Sequence, residues 1–253
     1  MLQQACTLPA GVVARKNQYT VRFADSPSEI REAQKLRYRV FVEENGACLA
    51  SQEPGVDRDF YDPYCEHLIV RDEACGRIVG TYRVLPPENA KRVGTYYSDG
   101  EFFLTRLERL RPRLVEVGRS CIDRDYRNGA VIAMLWAKLA EYMTANKYEY
   151  LMGCASVGMA DGGHNAANLF QVLSKHMAPA EYQVTPRCPL PWERLVTGAR
   201  AEVPPLIKGY LRAGAWVCGE PAWDADFNTA DLLLLMPMSN VSDRYRRHFV
   251  GAA

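Results

Sequence analysis

With 253 residues, and 31 Lys and Arg against 30 Asp and Glu, the chain carries a formal charge of only +1, so nothing global draws it to nucleic acid. Apolar residues at 48% and charged residues at 24% allow a sizeable core and exclude a disordered, polyelectrolyte class. No charged segment followed by an apolar run opens the sequence, and the late apolar run Leu232–Met238 is far too short to cross a bilayer, so a cytoplasmic chain, at most peripheral to the inner face of the membrane, is expected.

Residues 1–18 read as a loose arm. Tyr19–Phe23 alternates like an edge strand, and Asp25-Ser26-Pro27-Ser28 is a helix start. The helix expected from Glu29 to Glu44 sets Ile30, Ala33, Leu36 or Arg37, Val40 and Phe41 at helical spacing, and Gly46 stops it. Ala47–Tyr64 carries Glu53, Asp57, Asp59 and Asp62 and is long for a loop without structure of its own, which marks it as a binding-loop candidate. His67–Val70 and Ile78–Leu85 form a hairpin around Glu73–Gly76, and Pro86-Pro87 ends the second strand. A polar connection with a short helix then brings Tyr96, Tyr97, Phe102 and Phe103, followed by Arg106, Arg109, Arg111 and Arg113.

Leu114, Val115 and Val117 begin a strand with Glu116 between its valines. A polar turn, Ile122–Gly129, leads into a long apolar helix from Ala130 to Met143. Strand, glycine-containing turn and helix is the geometry in which free N–H groups at a helix N-terminus can bind phosphate, here with Arg124, Arg127, Asn128 and Gly129. Glu116 is set to pair with Arg119, and Asp123 or Asp125 with Arg124 and Arg127. Tyr148–Ser156 reads as a buried strand and Asn165–Met177 as a helix after the Asp161-Gly162-Gly163 break. Residues 178–203 show no clear pattern, Leu206–Arg212 is a helix ended by Gly214, and strands Ala215–Cys218 and Thr229–Met236 close the chain. With no repeat and no low-complexity linker, one α/β domain over 19–238 is expected, then a basic tail, 239–253, whose Arg244, Tyr245, Arg246, Arg247 and Phe249 could touch anionic lipid.

The eight cysteines are scattered without a CxxC pair, as free thiols in a reducing compartment would be. Cys65 and His67 lack a second pair at metal spacing, so no metal is expected. His67, His164 and His176 belong to no Ser–His–Asp or Cys–His arrangement, and Trp136 sits among apolar helix residues as core.

This element order is that of the GNAT N-acyltransferase fold, a mixed central sheet flanked by helices. Leu36–Glu44, Gly80–Pro86 and Glu116–Arg119 resemble the sequence blocks of acyl-homoserine-lactone synthases. Cys65–Val70, Val117–Cys121, Leu135-Trp136, Gly153–Ser156, Lys208–Arg212 and Phe227–Asp231 resemble more closely the ornithine-acyl-ACP N-acyltransferases of ornithine-lipid synthesis, a family also labelled hemolysin-like. Together these blocks cover about residues 30 to 235. The resemblance implies transfer of a (3-hydroxy)fatty acyl group from acyl carrier protein (ACP) to the α-amine of L-ornithine. Lyso-ornithine lipid would form by direct amine attack on the thioester, with no bound cofactor. Other acceptors, glycine, lysine or another amine, stay open, as does an idle GNAT scaffold that only binds a partner. Arg127-Asn128-Gly129-Ala130 departs from the acetyl-CoA loop of GNAT enzymes, being shorter, which suits the single phosphate diester of 4'-phosphopantetheine better than a CoA pyrophosphate.

The matched positions carry expected roles. Glu116 is the candidate base, or else a strand glutamate tied to Arg119; backbone N–H groups over Val117–Ser120 would polarise the thioester carbonyl. Arg37, Arg83 and Arg119 are expected to converge, either on an α-carboxylate or phosphate or on Glu116, Asp59 and Asp62 as a scaffold. Phe41 joins them in the substrate site. Asp59 or Asp62 could hold the ornithine side-chain ammonium. Arg106, Arg109, Arg111 and Arg113 would dock the acidic carrier protein, unless they are a solvated face. Cys121 beside Ser120 is the candidate for an acyl-enzyme route, which direct attack makes unnecessary.

Overall fold

Ten strands and six α-helices make up the described residues, 19–49 and 53–241, of the computed structural model. The arm at 1–18 and the tail positions Arg244, Tyr245, Arg246, Arg247 and Phe249 lie outside the described residues. The strands are β1 (Tyr19–Phe23), β2 (Glu66–Asp72), β3 (Arg77–Leu85), β4 (Phe102–Phe103), β5 (Leu114–Ile122), β6 (Tyr150–Gly158), β7 (Thr185–Pro186), β8 (Trp216–Val217), β9 (Ala222–Asp224) and β10 (Thr229–Pro237). The helices are α1 (Pro27–Tyr38), α2 (Pro87–Val93), α3 (Ala130–Ala145), α4 (His164–Leu173), α5 (Trp192–Leu195) and α6 (Pro205–Ala213). No described helix is long and apolar enough to cross a membrane.

The main sheet has the order β1-β2-β3-β5-β6-β10-β8, with β9 also on β10, and β4 pairs separately with β7. Every strand pair is antiparallel except β5–β6. Because strand side chains alternate between faces, Val115 and Val117 of β5 pack with Val131, Leu135 and Leu139 of α3, while Leu114 packs on the opposite face with Ala90 of α2. The α3 face continues under α4 and α6, through Ala155, Leu169, Phe170 and Ile207. Ala33 and Leu36 of α1 cover Ile69, Ile78 and Cys121.

Local chemistry explains the first helix. The Ser26 side chain accepts from Glu29 N, Pro27 occupies the first turn, and Glu29 supplies a carboxylate there. The single helix expected over Glu29–Glu44 is α1 continued by a wider π-helical turn, Arg39–Glu44. That turn brings Phe41 and the following Asn45 and Ala47 to a cavity wall. The β2–β3 hairpin forms as read. Strand β9 and the short α5 have no signal in the sequence, because a three-residue strand and a one-turn helix leave too little periodicity to read.

Strands β5 and β6 pair only from Leu114 to Glu116 against Tyr150 to Met152, although they run on to Ile122 and Gly158. Beyond that point their facing edges separate. At Gly153, one residue past the last pair, the two backbones are still in close approach, for a Cβ there would stand 2.4 Å from the Val117 carbonyl oxygen. Gly153→Ala is therefore expected to push the strands apart and cost about 1–3 kcal/mol, read as a lowered thermal midpoint. An unchanged midpoint would show that the backbones part freely.

Strand β5 also bulges. Its pairing with β3 steps from Thr81–Cys121 to Arg83–Gly118, so Arg119 and Ser120 oppose one residue, and Arg119 takes a left-handed φ of 50°. The bulge re-aims the Arg119 side chain.

Candidate active site

A cavity of about 490 Å³ opens where β5 and β6 part, lined by Glu116–Ser120 from one strand and Leu151–Ser156 from the other. Toward the α2 face its wall is polar, with Tyr97, Ser98, Glu116, Asp224 and Asp231. Toward α3 and α6 it is formed by Tyr82, Leu151, Leu206, Tyr210, Leu234 and Met236, where the Tyr82 and Tyr210 hydroxyls bond to each other. Trp136 stacks on Tyr210 with ring centroids 4.9 Å apart and is partly buried against the α3 core. A space with one polar and one apolar wall can hold an amino acid and an acyl chain together.

Glu116 is 5% exposed. Its carboxylate accepts from the backbone N–H groups of Tyr97 and Ser98, at 2.7 and 2.8 Å. Burial pushes its pKa up, and those hydrogen bonds pull against it. The expected pairing with Arg119 is not formed: the bulge turns that guanidinium toward Asp57 and Asp59, 3.3 Å from each. There it lies between the rings of Tyr97 and Phe227, 4.9 and 4.4 Å from their centroids.

The three arginines do converge, on three aspartates. Arg37 donates to Asp57 at 2.8 Å and Asp62 at 2.7 Å, and Arg83 donates to Asp59 at 2.7 Å and Asp62 at 3.2 Å. Burial would raise the Asp62 carboxyl, but Arg37 and Arg83 outweigh it and hold it well below the usual range. Arg37, at 0% exposure, and Asp62, at 4%, lie beneath the cavity and not on its wall, which corrects their placement as substrate contacts. Asp59 is likewise absent from the wall and is spent on Arg83 and Arg119, whereas Phe41, Arg83 and Arg119 do line it.

The polar turn is placed differently from the expectation. Arg127 donates to Glu44 at 2.7 Å, Arg124 stands 3.7 Å from the same carboxylate, and Asn128 caps Ala130 N at 3.0 Å. Gly129, with φ 93°, precedes α3, and none of these four residues lines the cavity. Asp123 pairs with Arg77 at 2.7 Å and not with Arg124 or Arg127. The basic stretch is also engaged within the chain. Arg106 donates to Ala180 O, Arg109 sits over Tyr182, Arg111 bonds Asp99, and Arg113 bonds Glu149.

Cys121, His67, His164 and His176 are all absent from the cavity wall. Cys121 faces α1, and burial pushes its thiol up to about 12, far from a thiolate. His67 is buried with Nε2 3.2 Å from the Asp62 carbonyl, and burial lowers its pKa. The sequence marks Tyr97 only as an aromatic in a connection and Asp231 only as part of a matched block; Asp224 carries no signal. In the fold Tyr97 is a hub: its N–H holds Glu116, its ring faces Arg119, and its hydroxyl donates to Asp224 at 3.4 Å.

A model of the acetyltransferase (GNAT) domain matches residues 36–137. The chain is 37% identical to an L-ornithine N(alpha)-acyltransferase of Rhodobacter capsulatus, over 91% of this chain and 94% of that one. It is 34% identical to one of Agrobacterium fabrum, over 96% and 89%. Among solved structures it is similar in fold to the CoA-dependent acyl-homoserine lactone synthase BjaI with SAM and isopentyl-CoA, at 15% identity and TM-score 0.52 over 89% of this chain and 82% of that one. The acyl-homoserine lactone synthase LasI gives 14% identity and TM-score 0.52 over 93% and 96%.

Proposed function

This chain belongs to the L-ornithine N(alpha)-acyltransferase family, acyltransferases of the GNAT fold, and we propose that it transfers a (3-hydroxy)fatty acyl group from acyl carrier protein to the α-amine of L-ornithine, giving lyso-ornithine lipid. The observation that carries this reading is Glu116, a buried carboxylate without an ion pair among the described residues, at the point where β5 and β6 separate. A scaffold that only bound a partner would gain nothing from burying a carboxylate without a paired cation on a cavity wall.

The α-amine of a free amino acid is a stronger base than the peptide α-amino reference of about 7.7–8.0, so the acceptor is mostly protonated at neutral pH. Glu116, directly or through water, takes its proton, and the neutral amine attacks the thioester carbonyl carbon. The developing oxyanion is held by backbone N–H groups on the β5 edge over Val117–Ser120, which has no β6 partner. The C–N bond forms, the C–S bond breaks, and the pantetheine sulfur leaves with a proton. The same open edge suits the donor arm, whose amides can pair with it as an added strand would. Arg119, on the cavity wall, suits the acceptor α-carboxylate. Glu44 beside Arg124 and Arg127 leaves the turn before α3 little net positive charge, which favours a donor with one phosphate diester over a CoA pyrophosphate.

The test is a mass-spectrometric assay of the purified protein with 3-hydroxyacyl-ACP and mixed amino acids, with acyl-CoA in parallel. N-acyl-ornithine formed from the ACP donor is the expected result. A different N-acyl amino acid would move the acceptor assignment, and no product from folded protein would overturn the enzyme reading.

A further inference from the structure

The cavity wall holds two more buried carboxylates besides Glu116, and the mechanism uses neither. Asp224, 7% exposed, ends β9, and Asp231, 3% exposed, lies on β10. Antiparallel pairing sets Asp224 opposite Thr229 and Asp231 opposite Ala222. The two aspartates are thus diagonal neighbours on one face, roughly 7–8 Å apart along the backbone. Each is held by neutral donors. Asp224 accepts from the N–H groups of Asp226 and Phe227 at 2.9 and 3.1 Å and from the Tyr97 hydroxyl, and Asp231 accepts from the Thr229 hydroxyl at 2.9 Å. Neither forms an ion pair among the described residues, whereas every aspartate of the Arg37–Arg83–Arg119 cluster does. Burial, with Asp224 adding to it, pushes Asp231 up to about 6, and burial together with these two aspartates pushes the nearby Glu101 up to about 7. An uncompensated acidic pair inside a cavity is costly unless a cation from outside completes it.

The pair is also placed in register with the rest of the site. Tyr97 touches all three parts: its N–H the Glu116 base, its ring the Arg119 guanidinium, its hydroxyl Asp224. An acceptor that fills all three needs an amine to lose a proton, a carboxylate, and a second ammonium a few bonds away.

We propose that Asp224 and Asp231 bind the side-chain ammonium of the amino-acid acceptor and so select a diamino acid over acceptors with neutral side chains. This rests on the reading that the acceptor is ornithine, and it moves the ammonium site from Asp59 and Asp62, whose charge is already spent on arginines.

The test compares kcat/KM for L-ornithine with that for L-norvaline, which has the same carbon chain without the terminal amine. Wild type, Asp231→Asn and Asp224→Asn are measured, each with its thermal midpoint. Asparagine keeps an oxygen for the Thr229 hydroxyl or the Asp226 and Phe227 N–H groups, so the fold survives. The ornithine-to-norvaline ratio is expected to fall about 10- to 100-fold in each variant, mainly through KM for ornithine. Losses in equal proportion on both substrates would make the aspartates structural and overturn the proposal, as would a wild type that uses norvaline as well as ornithine. A wild type that acylates other amino acids but not ornithine would overturn the function reading and this inference together. Ornithine turnover with an unchanged ratio in the variants would overturn this inference alone.

Discussion

Glu116→Gln is expected to lower kcat/KM for N-acylation by about 10²–10⁴-fold, the range of a positioned general base. The side chain is enclosed at 5% exposure and held by two backbone N–H groups, so the isosteric amide occupies the same space. One of those donors then faces an NH₂ group, a loss of about 1–3 kcal/mol, offset in part because a buried charge is removed. The variant should therefore stay folded at assay temperature, which a thermal unfolding scan checks. Burial raises the Glu116 pKa, so its carboxylate takes up a proton at a higher pH than an unburied one would. Wild-type activity should fall on acidification through that raised pKa, and the residual activity of the variant should lack this limb. Turnover equal to wild type would remove Glu116 from the chemistry.

Arg37→Met is the second large effect, and it falls on stability. Arg37 is at 0% exposure and neutralises Asp57 and Asp62, themselves 2% and 4% exposed. Removing it leaves two buried carboxylates without their main cation, and breaking such a pair costs about 3–5 kcal/mol. Urea unfolding should show this as a lowered midpoint at neutral pH. The pH dependence follows from the depressed pKa of folded Asp62, whose ordinary value is near 3.8. The stability it adds is complete above that value and is lost as the pH falls toward the folded pKa. Wild type should accordingly lose stability on acidification more steeply than Arg37→Met. Equal midpoints at pH 7 would show that Arg83 and solvent suffice for the aspartates.

Much of the scaffold is legible in the chain because its signals are local. The alternation of β2 and β3 with a Gly-containing turn between them gives the hairpin, and Ser26-Pro27 gives the start of α1. Glu116 between two valines and ahead of a polar turn marks the strand that opens the cavity. The sequence blocks bring Arg37, Arg83 and Arg119 together correctly. They do not separate a buried cluster from a binding surface, and so Arg37 and Asp62 turn out to be beneath the site they seemed to line.

What the sequence determined by itself is the order of the longer elements, the family and the strand that carries Glu116, since periodicity and short motifs are written within a few residues. The tertiary structure alone decided which charges are free to act. Arg37 meets Asp57 across 20 positions, Tyr97 cradles Glu116 across 19, and the Tyr97 hydroxyl reaches Asp224 across 127. Whether a carboxylate is spent on a guanidinium or left open to a substrate depends on such distant pairings and on burial, and neither has a local signature.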